Sequence, residues 1–197
     1  MVYGYVDIYI GVGSNLGDRR ENILNGLNFI NCHVTLTKIS SIYESPPWGY
    51  KAQPPFLNCV CRGVTSMTPK SVLDLLKDAE KYLGRKPNIR WGPRVFDADI
   101  LFYGQLMMNE SYLEIPHPRV PERAFVLVPL LEIAPNFIHP SNGRSVQDMM
   151  STVTGIEELE KWGCVSPCEI SNKWARSTYD QEQAIVDSSA EENMTFL

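Results

Sequence analysis

Between Thr68 and Gly84 the apolar residues Val72, Leu75, Leu76, Ala79 and Leu83 recur at helical spacing, with Thr68 as N-cap, Pro69 at the first helical position and Gly84 as the stop. On either side the period changes to two. Phe56 to Val64 alternates around Cys59 and Cys61, and Val95 to Tyr103 is a second β-rich run around two aspartates. Upstream, Val6 to Val12 reads as a strand running into Gly11-Val-Gly-Ser-Asn-Leu-Gly-Asp18. Asp18 with Glu21 then resembles a capping box before the helical stripe Ile23, Leu24, Leu27 and Ile30, and Val34 to Tyr43 alternates again. The order is therefore β-α-β-β-α-β. A hairpin is expected through Gly104 (Leu106 to Met108, Tyr112 to Ile115), then a helix from Arg123 to Ile133 that Pro129 must start late or kink. The economical arrangement is of the α+β class: a ferredoxin-like split βαβ sandwich, antiparallel-rich, with an added hairpin and a C-terminal helix.

Charge divides the chain of 197 residues unevenly. Residues 1–154 hold 15 Lys+Arg against 14 Asp+Glu, a net of +1, and residues 155–197 hold 3 against 9, a net of −6. The expected division is one catalytic-sized domain over 1–162 and an acidic, weakly ordered extension over 163–197. No run approaches the roughly 18 apolar residues of a membrane span, and Tyr3, Tyr5 and Asp7 do not read as a signal peptide, so a cytoplasmic location is expected. Of the five cysteines, Cys59 and Cys61 read as buried thiols, and Cys164 and Cys168 lack a second pair with which to hold zinc.

The chemistry is concentrated in Arg90-Trp-Gly-Pro-Arg-Val-Phe-Asp-Ala-Asp99. Asp97 and Asp99 are two apart in a strand, so both project to one face. Two adjacent carboxylates with only oxygen to offer suit Mg²⁺, which keeps several waters and bridges carboxylates to phosphates. Arg90 and Arg94 can clamp the same phosphates, because guanidinium matches their oxygens two at a time. A surface turn with scattered ion pairs is the plainer alternative.

Other motifs narrow the ligand. Gly11-x-Gly13 has Leu16 where a dinucleotide fingerprint needs its third glycine, and no Gly-x-x-x-x-Gly-Lys-Ser/Thr run exists. What remains there is a flexible turn with backbone N–H groups. Ser45-Pro-Pro-Trp-Gly49 carries aromatic surface on a stiff backbone, and Phe56 and Asn58 follow on one face of the next strand, a place for a flat heterocycle. Arg85, Lys86, Arg90 and Arg94 form a basic run, read either as a solvated loop or as a nucleic-acid contact, although the RNP1 pattern is absent. His117, in Pro116-His-Pro-Arg119 and near Arg123, is a further phosphate contact or a structural histidine.

With these pieces in order the chain resembles the 6-hydroxymethyl-7,8-dihydropterin pyrophosphokinases of folate biosynthesis over residues 5–162. The resemblance rests on Gly13-Ser-Asn-Leu-Gly-Asp18, Tyr43 to Gly49 with Pro46-Pro47, Phe56-Leu-Asn58, Glu80 with Gly84-Arg85, Arg90-Trp-Gly-Pro-Arg-x-x-Asp-x-Asp-Ile-Leu101, Pro116-His-Pro-Arg119 and Arg123-x-Phe-Val-Leu-x-Pro-Leu130. It implies transfer of the β,γ-pyrophosphate of ATP to the pterin hydroxymethyl group with release of AMP, and two Mg²⁺ held by Asp97 and Asp99. Catalytic roles fall to Arg85, Arg94, Asp97 and Asp99. ATP contacts fall to Glu80, Arg85, Arg90, Arg94, Ile100, His117 and Arg123. Pterin contacts fall to Ser45, Pro46, Pro47, Trp48, Phe56, Asn58, Trp91 and Phe125, with Arg90 and Trp91 on a loop that closes over the bound pair. Ala98 stands where a larger aliphatic residue is usual, which should alter packing behind the strand. A monomer acting on small molecules, without nucleic acid or membrane, is expected. The rival readings are a Mg-ATP-dependent kinase of another small alcohol and a non-enzymatic RNA-binding module.

Overall fold

In the computed structural model, which describes residues 4–85 and 92–170, the first strand is an interior strand of the sheet. β1 (Val6–Ser14) pairs antiparallel with β4 (Phe56–Thr65) on one side and with β5 (Asp97–Tyr103) on the other. Beyond β4 lie β2 (Thr35–Ile39) and β3 (Ile42–Ser45), both antiparallel to it, and β8 (Glu160–Gly163) closes that edge by pairing with β3. Among the described residues the sheet thus has six strands, in the order β5-β1-β4-β3-β8 with β2 also on β4. It is an antiparallel sheet with helices, as the α+β reading expected.

The single strand expected over Val34 to Tyr43 is two. At the break the hydroxyl of Ser40 replaces a backbone partner: its Oγ accepts from the Val60 N–H at 3.0 Å while the Ser40 N–H donates to the Val60 carbonyl at 2.9 Å. The hairpin also differs from expectation. Its strands are β6 (Met108–Glu110) and β7 (Leu113–Ile115), which turn at Ser111-Tyr112 and form a separate two-stranded sheet. Gly104, at φ 52°, instead turns the chain out of β5, and its N–H donates to the Asp7 carbonyl.

The sheet faces are covered unequally. α1 (Arg19–Asn31) and α2 (Pro69–Tyr82) lay Ile23, Leu27, Ile30, Val72, Leu76 and Ala79 on one face, against Ile8, Ile10, Val12, Leu57, Cys59, Cys61, Ala98 and Ile100. Each helix starts on the cap read from sequence: Asp18 accepts from the Glu21 N–H, and Thr68 from the Ser71 N–H. Burial pushes the Cys61 thiol up to about 12 and that of Cys59 well above its usual value, so both are inert apolar fillers. The other face carries α3 (Ala124–Ile133) and α4 (Val146–Met150), whose Val126, Leu127, Leu130, Val146 and Met149 cover Tyr9, Val60, Leu101 and Phe102. Pro129 is accommodated inside α3. Since α3 covers only part of this face, a concavity remains beside its N-terminal end.

Leu101 has no partner in β1: Tyr9 faces Phe102 and Ile10 faces Ile100. This one-residue bulge turns Phe102 to the same side as Leu101, while Asp97 and Asp99 keep the alternation that puts them together. The first residues of the expected extension are laid against the body. Val165 is buried, Ile170 packs on the larger core, and Glu169 pairs with Arg20 at 2.7 Å. The rest of the extension, 171–197, lies outside the described residues. Among the described residues no helix is long and apolar enough to cross a membrane.

Two contacts yield stability tests. A Cβ on Gly26 of α1 would sit 2.1 Å from the ring of Phe96, which is fully buried immediately before β5. Alanine would gain about 1 kcal/mol of helix propensity, but forcing a methyl into a closed core costs about 1–3 kcal/mol. Gly26→Ala is therefore expected to lower the urea midpoint, and an unchanged or raised midpoint would refute the packing. The second contact is Glu132, which receives the Ser41 N–H at 2.6 Å, the Tyr43 hydroxyl at 2.7 Å and the Lys161 ammonium at 3.4 Å, stapling the end of α3 to β3 and β8. Burial alone would raise its carboxyl, but these partners hold it below the usual carboxylate value, and Tyr43, half-buried beside it and donating to it, is pushed up to about 12. A carboxyl lower in the folded than in the unfolded state contributes fully above the unfolded value and loses that contribution as pH falls through the folded one. Glu132→Gln should cost ~1–2 kcal/mol at pH 7, with the gap to wild type narrowing below about pH 4. Denaturant melts at pH 7 and pH 3 with the same gap would contradict a role for the charge.

Candidate active site

Gly11 and Gly13 belong to β1 rather than to a flexible turn, and neither has positive φ. They lie on the face that α3 leaves open, directly opposite Asp99 and Asp97. Their missing side chains form a floor: a Cβ on Gly13 would come 2.8 Å from Oδ1 of Asn58, and one on Gly11 3.3 Å from Leu101. The cavity above this floor has a volume of about 240 Å³. Phe56, Asn58 and Val60 of β4 line it, together with Asp97 and Asp99 of β5, Ser45, Pro46 and Trp48 of the proline-rich loop, Gly92 and Arg94, and Arg123, Phe125 and Val126 at the start of α3.

One end is apolar and planar, with Phe56, Phe125 and the rim indole of Trp48. There the amide of Asn58 is oriented by donation to the Ser45 hydroxyl at 2.9 Å, a buried bond. The opposite end is charged. Asp97 meets Arg94 at 2.5 Å and Arg85 at 2.8 Å. Burial pushes the Asp97 carboxyl up, but the two guanidiniums outweigh it and hold the group below the ordinary carboxylate value. Arg123 approaches Asp99 only to 3.9 Å, and its buried Nε has no hydrogen-bond partner.

Supporting residues sit behind this layer. Glu80, 3% exposed, lies on α2 and not in the cavity. Its Oε1 accepts from the Ala98 N–H at 3.2 Å and contacts Lys77 at 2.8 Å and Arg85 at 2.5 Å. Burial raises its carboxyl, and Lys77 and Arg85 work against that rise. Arg85 thus reaches around the edge of β5 from the Glu80 side to Asp97. His117 is fastened to β5 by its own N–H on the Leu101 carbonyl, and its Nδ1 accepts the Arg119 N–H at 3.2 Å. Burial first, then Arg123 and Arg119, lower its pKa against the pull of Asp99, so the ring is neutral near pH 7 with its proton on Nε2.

The structure thus brings Ser45, Pro46, Trp48, Phe56, Asn58, Arg94, Asp97, Asp99, Arg123 and Phe125 to one cavity, and sets Arg85 and His117 at its margin. Pro47 is not among the lining residues, and the side chain of Ile100 is buried on the opposite face under the helices. Arg90, Trp91 and the basic Lys86 lie outside the described residues.

Sequence reasoning missed Asn15, which is 2% exposed. Its backbone N–H donates to the Arg94 carbonyl at 3.0 Å and its Oδ1 accepts the Arg94 N–H at 2.7 Å. Its Nδ2 donates to the Gln53 side chain and the Pro54 carbonyl, each at 3.0 Å. One amide thereby joins the loop before β5 to the end of the proline-rich loop. An Asn following a Gly-Ser strand end was the available signal, read only as part of a turn.

Among the described residues no group of three or more His, Cys, Asp or Glu side chains could enclose a metal ion. The pair Asp97 and Asp99 is a different donor set. Two same-face carboxylates at the mouth of a cavity, flanked by guanidiniums, fit a hard cation that takes its remaining ligands from water and phosphate.

A family model described as 7,8-dihydro-6-hydroxymethylpterin-pyrophosphokinase matches residues 9–135. A 2-amino-4-hydroxy-6-hydroxymethyldihydropteridine pyrophosphokinase of Aquifex aeolicus is 44% identical over 133 residues, covering 68% of this chain and 83% of that protein. One of the same name from Bacillus subtilis is 45% identical over 127 residues, 64% of this chain and 76% of that protein. A folic acid synthesis protein of Dictyostelium discoideum is 45% identical over 134 residues, 68% of this chain, but the match spans only 20% of its length. Among solved structures, a Plasmodium falciparum HPPK-DHPS has the same fold at a TM-score of 0.63 and 13% identity, covering 80% of this chain and 47% of that one. The match over residues 9–135, with relatives at 44% and 45% identity alongside it, establishes that the chain belongs to the 7,8-dihydro-6-hydroxymethylpterin-pyrophosphokinase family.

Proposed function

We propose that this chain transfers the β,γ-diphosphate of ATP to the hydroxymethyl oxygen of 6-hydroxymethyl-7,8-dihydropterin, a step of folate biosynthesis. The observation that carries the reading is the polarity of a single cavity, apolar and planar at Phe56, Phe125 and Asn58, and charged at Arg94, Asp97, Asp99 and Arg123. A flat heterocycle suits the first end and a polyphosphate the second, with a hydroxymethyl arm spanning the boundary. The sheet order with the two helices on one face is read, on the same footing, as the ferredoxin-like split βαβ arrangement.

In this reaction the hydroxymethyl oxygen forms a bond to the β-phosphorus, the bond from that phosphorus to the α,β-bridging oxygen breaks, AMP leaves with the electron pair, and the hydroxyl proton passes to solvent. Positioning and charge stabilisation dominate such transfers, so no general base is assigned. Phe56 and Phe125 would hold the pterin ring, and Asn58, oriented by Ser45, would read its polar edge. Asp97 and Asp99 would hold two Mg²⁺, which when bound neutralise charge on the attacking and leaving oxygens. Arg94 and Arg85, now engaged with Asp97, would turn part of their hydrogen bonding to phosphate, and Glu80 would keep Arg85 in place while they do so. His117 would donate Nε2–H to a phosphate oxygen without adding to the positive charge. The reading includes a monomer at work in the cytosol on small molecules alone.

Supplied with Mg-ATP and hydroxymethyl-dihydropterin, the protein should release AMP in step with pterin diphosphate; ADP as the nucleotide product would replace this reading with that of a simple kinase. Asp99→Asn should reduce kcat by about 10²–10³-fold, the scale of removing one preorganised electrostatic group, with the thermal midpoint unchanged. Retained turnover would remove Asp99 from the chemistry. Asn15→Ala removes the acceptor of the Arg94 N–H and the donor to Gln53 Oε1 and the Pro54 carbonyl. It should lower kcat/KM by roughly 10–100-fold, since misplacing a site by about 1 Å has effects of that size, which steady-state kinetics on the folded variant can read.

A further inference from the structure

Trp48 lies in the middle of the proline-rich loop, and both ends of that loop are fastened. Ser45 at its start is bonded to Asn58, and at its end Gln53 and Pro54 accept from Asn15 while Pro55 accepts from Arg19 at 2.9 Å. From this anchored span the indole reaches across the cavity mouth to the segment that precedes α3. The guanidinium of Arg119 stands 4.6 Å from the centre of the Trp48 ring, and that of Arg123 stands 5.1 Å from the same ring. Arg123 is also 5.5 Å from the ring of Phe125. All three separations are within the roughly 6 Å over which a cation is attracted to an aromatic face.

Two ways of holding an arginine coexist in this site. Arg85 and Arg94 are held by carboxylates, which occupy N–H donors. A π face contacts the guanidinium and leaves its in-plane N–H groups directed outward. Arg123 is held in this second way: among the described residues its carboxylate contact is the long 3.9 Å approach to Asp99, and its guanidinium stands over the Trp48 and Phe125 rings. An aromatic platform also lets Arg119 and Arg123 stand together, a juxtaposition that like charges otherwise oppose.

We propose that Trp48 is a positioning residue, its indole a shared platform that latches the proline-rich loop to Arg119 and Arg123 and presents both guanidiniums to the polyphosphate of the nucleotide. The inference rests on the diphosphate-transfer reading above, and it adds Arg119 to the groups that face the phosphates. Trp48 on this account serves the nucleotide end of the cavity through its side chain, although its loop borders the pterin end.

Calorimetric titration with Mg²⁺ and α,β-methylene-ATP, and separately with the pterin, tests the latch. Trp48→Leu, which keeps apolar bulk and loses the π face, should weaken the nucleotide analogue about tenfold and the pterin less than threefold, while Trp48→Phe should stay within about threefold of wild type for both. Equal analogue affinity in Trp48→Leu, a loss as large in Trp48→Phe, or a loss confined to the pterin would each overturn the proposal. Arg119→Gln, which removes the guanidinium and keeps Trp48, supplies a second arm. It should weaken the analogue by five- to tenfold, and the double variant with Trp48→Leu should lose less than the product of the single losses; full multiplication would show that the two residues act independently and sink the latch. Wild-type product analysis separates the two readings. Absence of AMP refutes diphosphate transfer, whereas AMP formation with an unaffected Trp48→Leu refutes only the latch.

Discussion

The register of β1 between its two neighbours is the constraint on which the site depends. Gly13 stands between Asn58 and Asp97, and Gly11 between Val60 and Asp99. Because side chains alternate along a strand, a slip of one residue in β5 would turn both aspartates into the apolar core under α1 and α2 and bring Ala98 and Ile100 to the cavity. That exchange would bury two carboxylates among Ile8, Ile10 and Leu76, at a cost of several kcal/mol for each ion. The same packing that stabilises the fold therefore fixes where the charged end of the cavity lies.

Charge in the site is arranged in layers. Asp97 is satisfied by Arg94 and Arg85, Arg85 is shared with Glu80, and Glu80 also takes the Ala98 N–H at the edge of β5. A buried carboxylate one layer back spares Arg85 from depending on Asp97 alone, so an incoming anion can compete for the guanidinium without leaving it unpaired. Arg123 is held differently, by distance from Asp99 and by aromatic rings. The cavity thus contains both guanidiniums that must exchange partners and one that need not.

Much of this was legible from residue pattern. The helix over Thr68 to Gly84, the pairing of Asp97 with Asp99 on one face, and the placing of Phe56 and Asn58 together on the cavity side of β4 all follow from local periodicity, which burial on a two-faced sheet enforces. The positions that escaped are set by long-range hydrogen bonds or by a neighbour's bulk. Ser40 interrupts a strand because its hydroxyl substitutes for the ladder, Asn15 joins two loops distant in sequence, and Gly11 and Gly13 are small to leave room rather than to bend. Glu80 was expected at the nucleotide through the family resemblance, whereas its burial behind β5 makes it a support. The tail, read as acidic and loose, uses Val165 and Ile170 to hold its first part to the core, an attachment too sparse in apolar residues for a composition argument to see.

The bulge at Leu101 has a consequence for how one strand can serve two purposes. Before it, β5 turns acidic side chains to the open face. After it, the consecutive residues Leu101 and Phe102 are both delivered to the packing under α3, and strict alternation would have allowed only one of them. The strand changes role within seven residues without changing partner. The apolar half of β5 therefore answers to the packing of α3, while its acidic half is held in phase with the glycines opposite, so one strand carries two separate sets of demands.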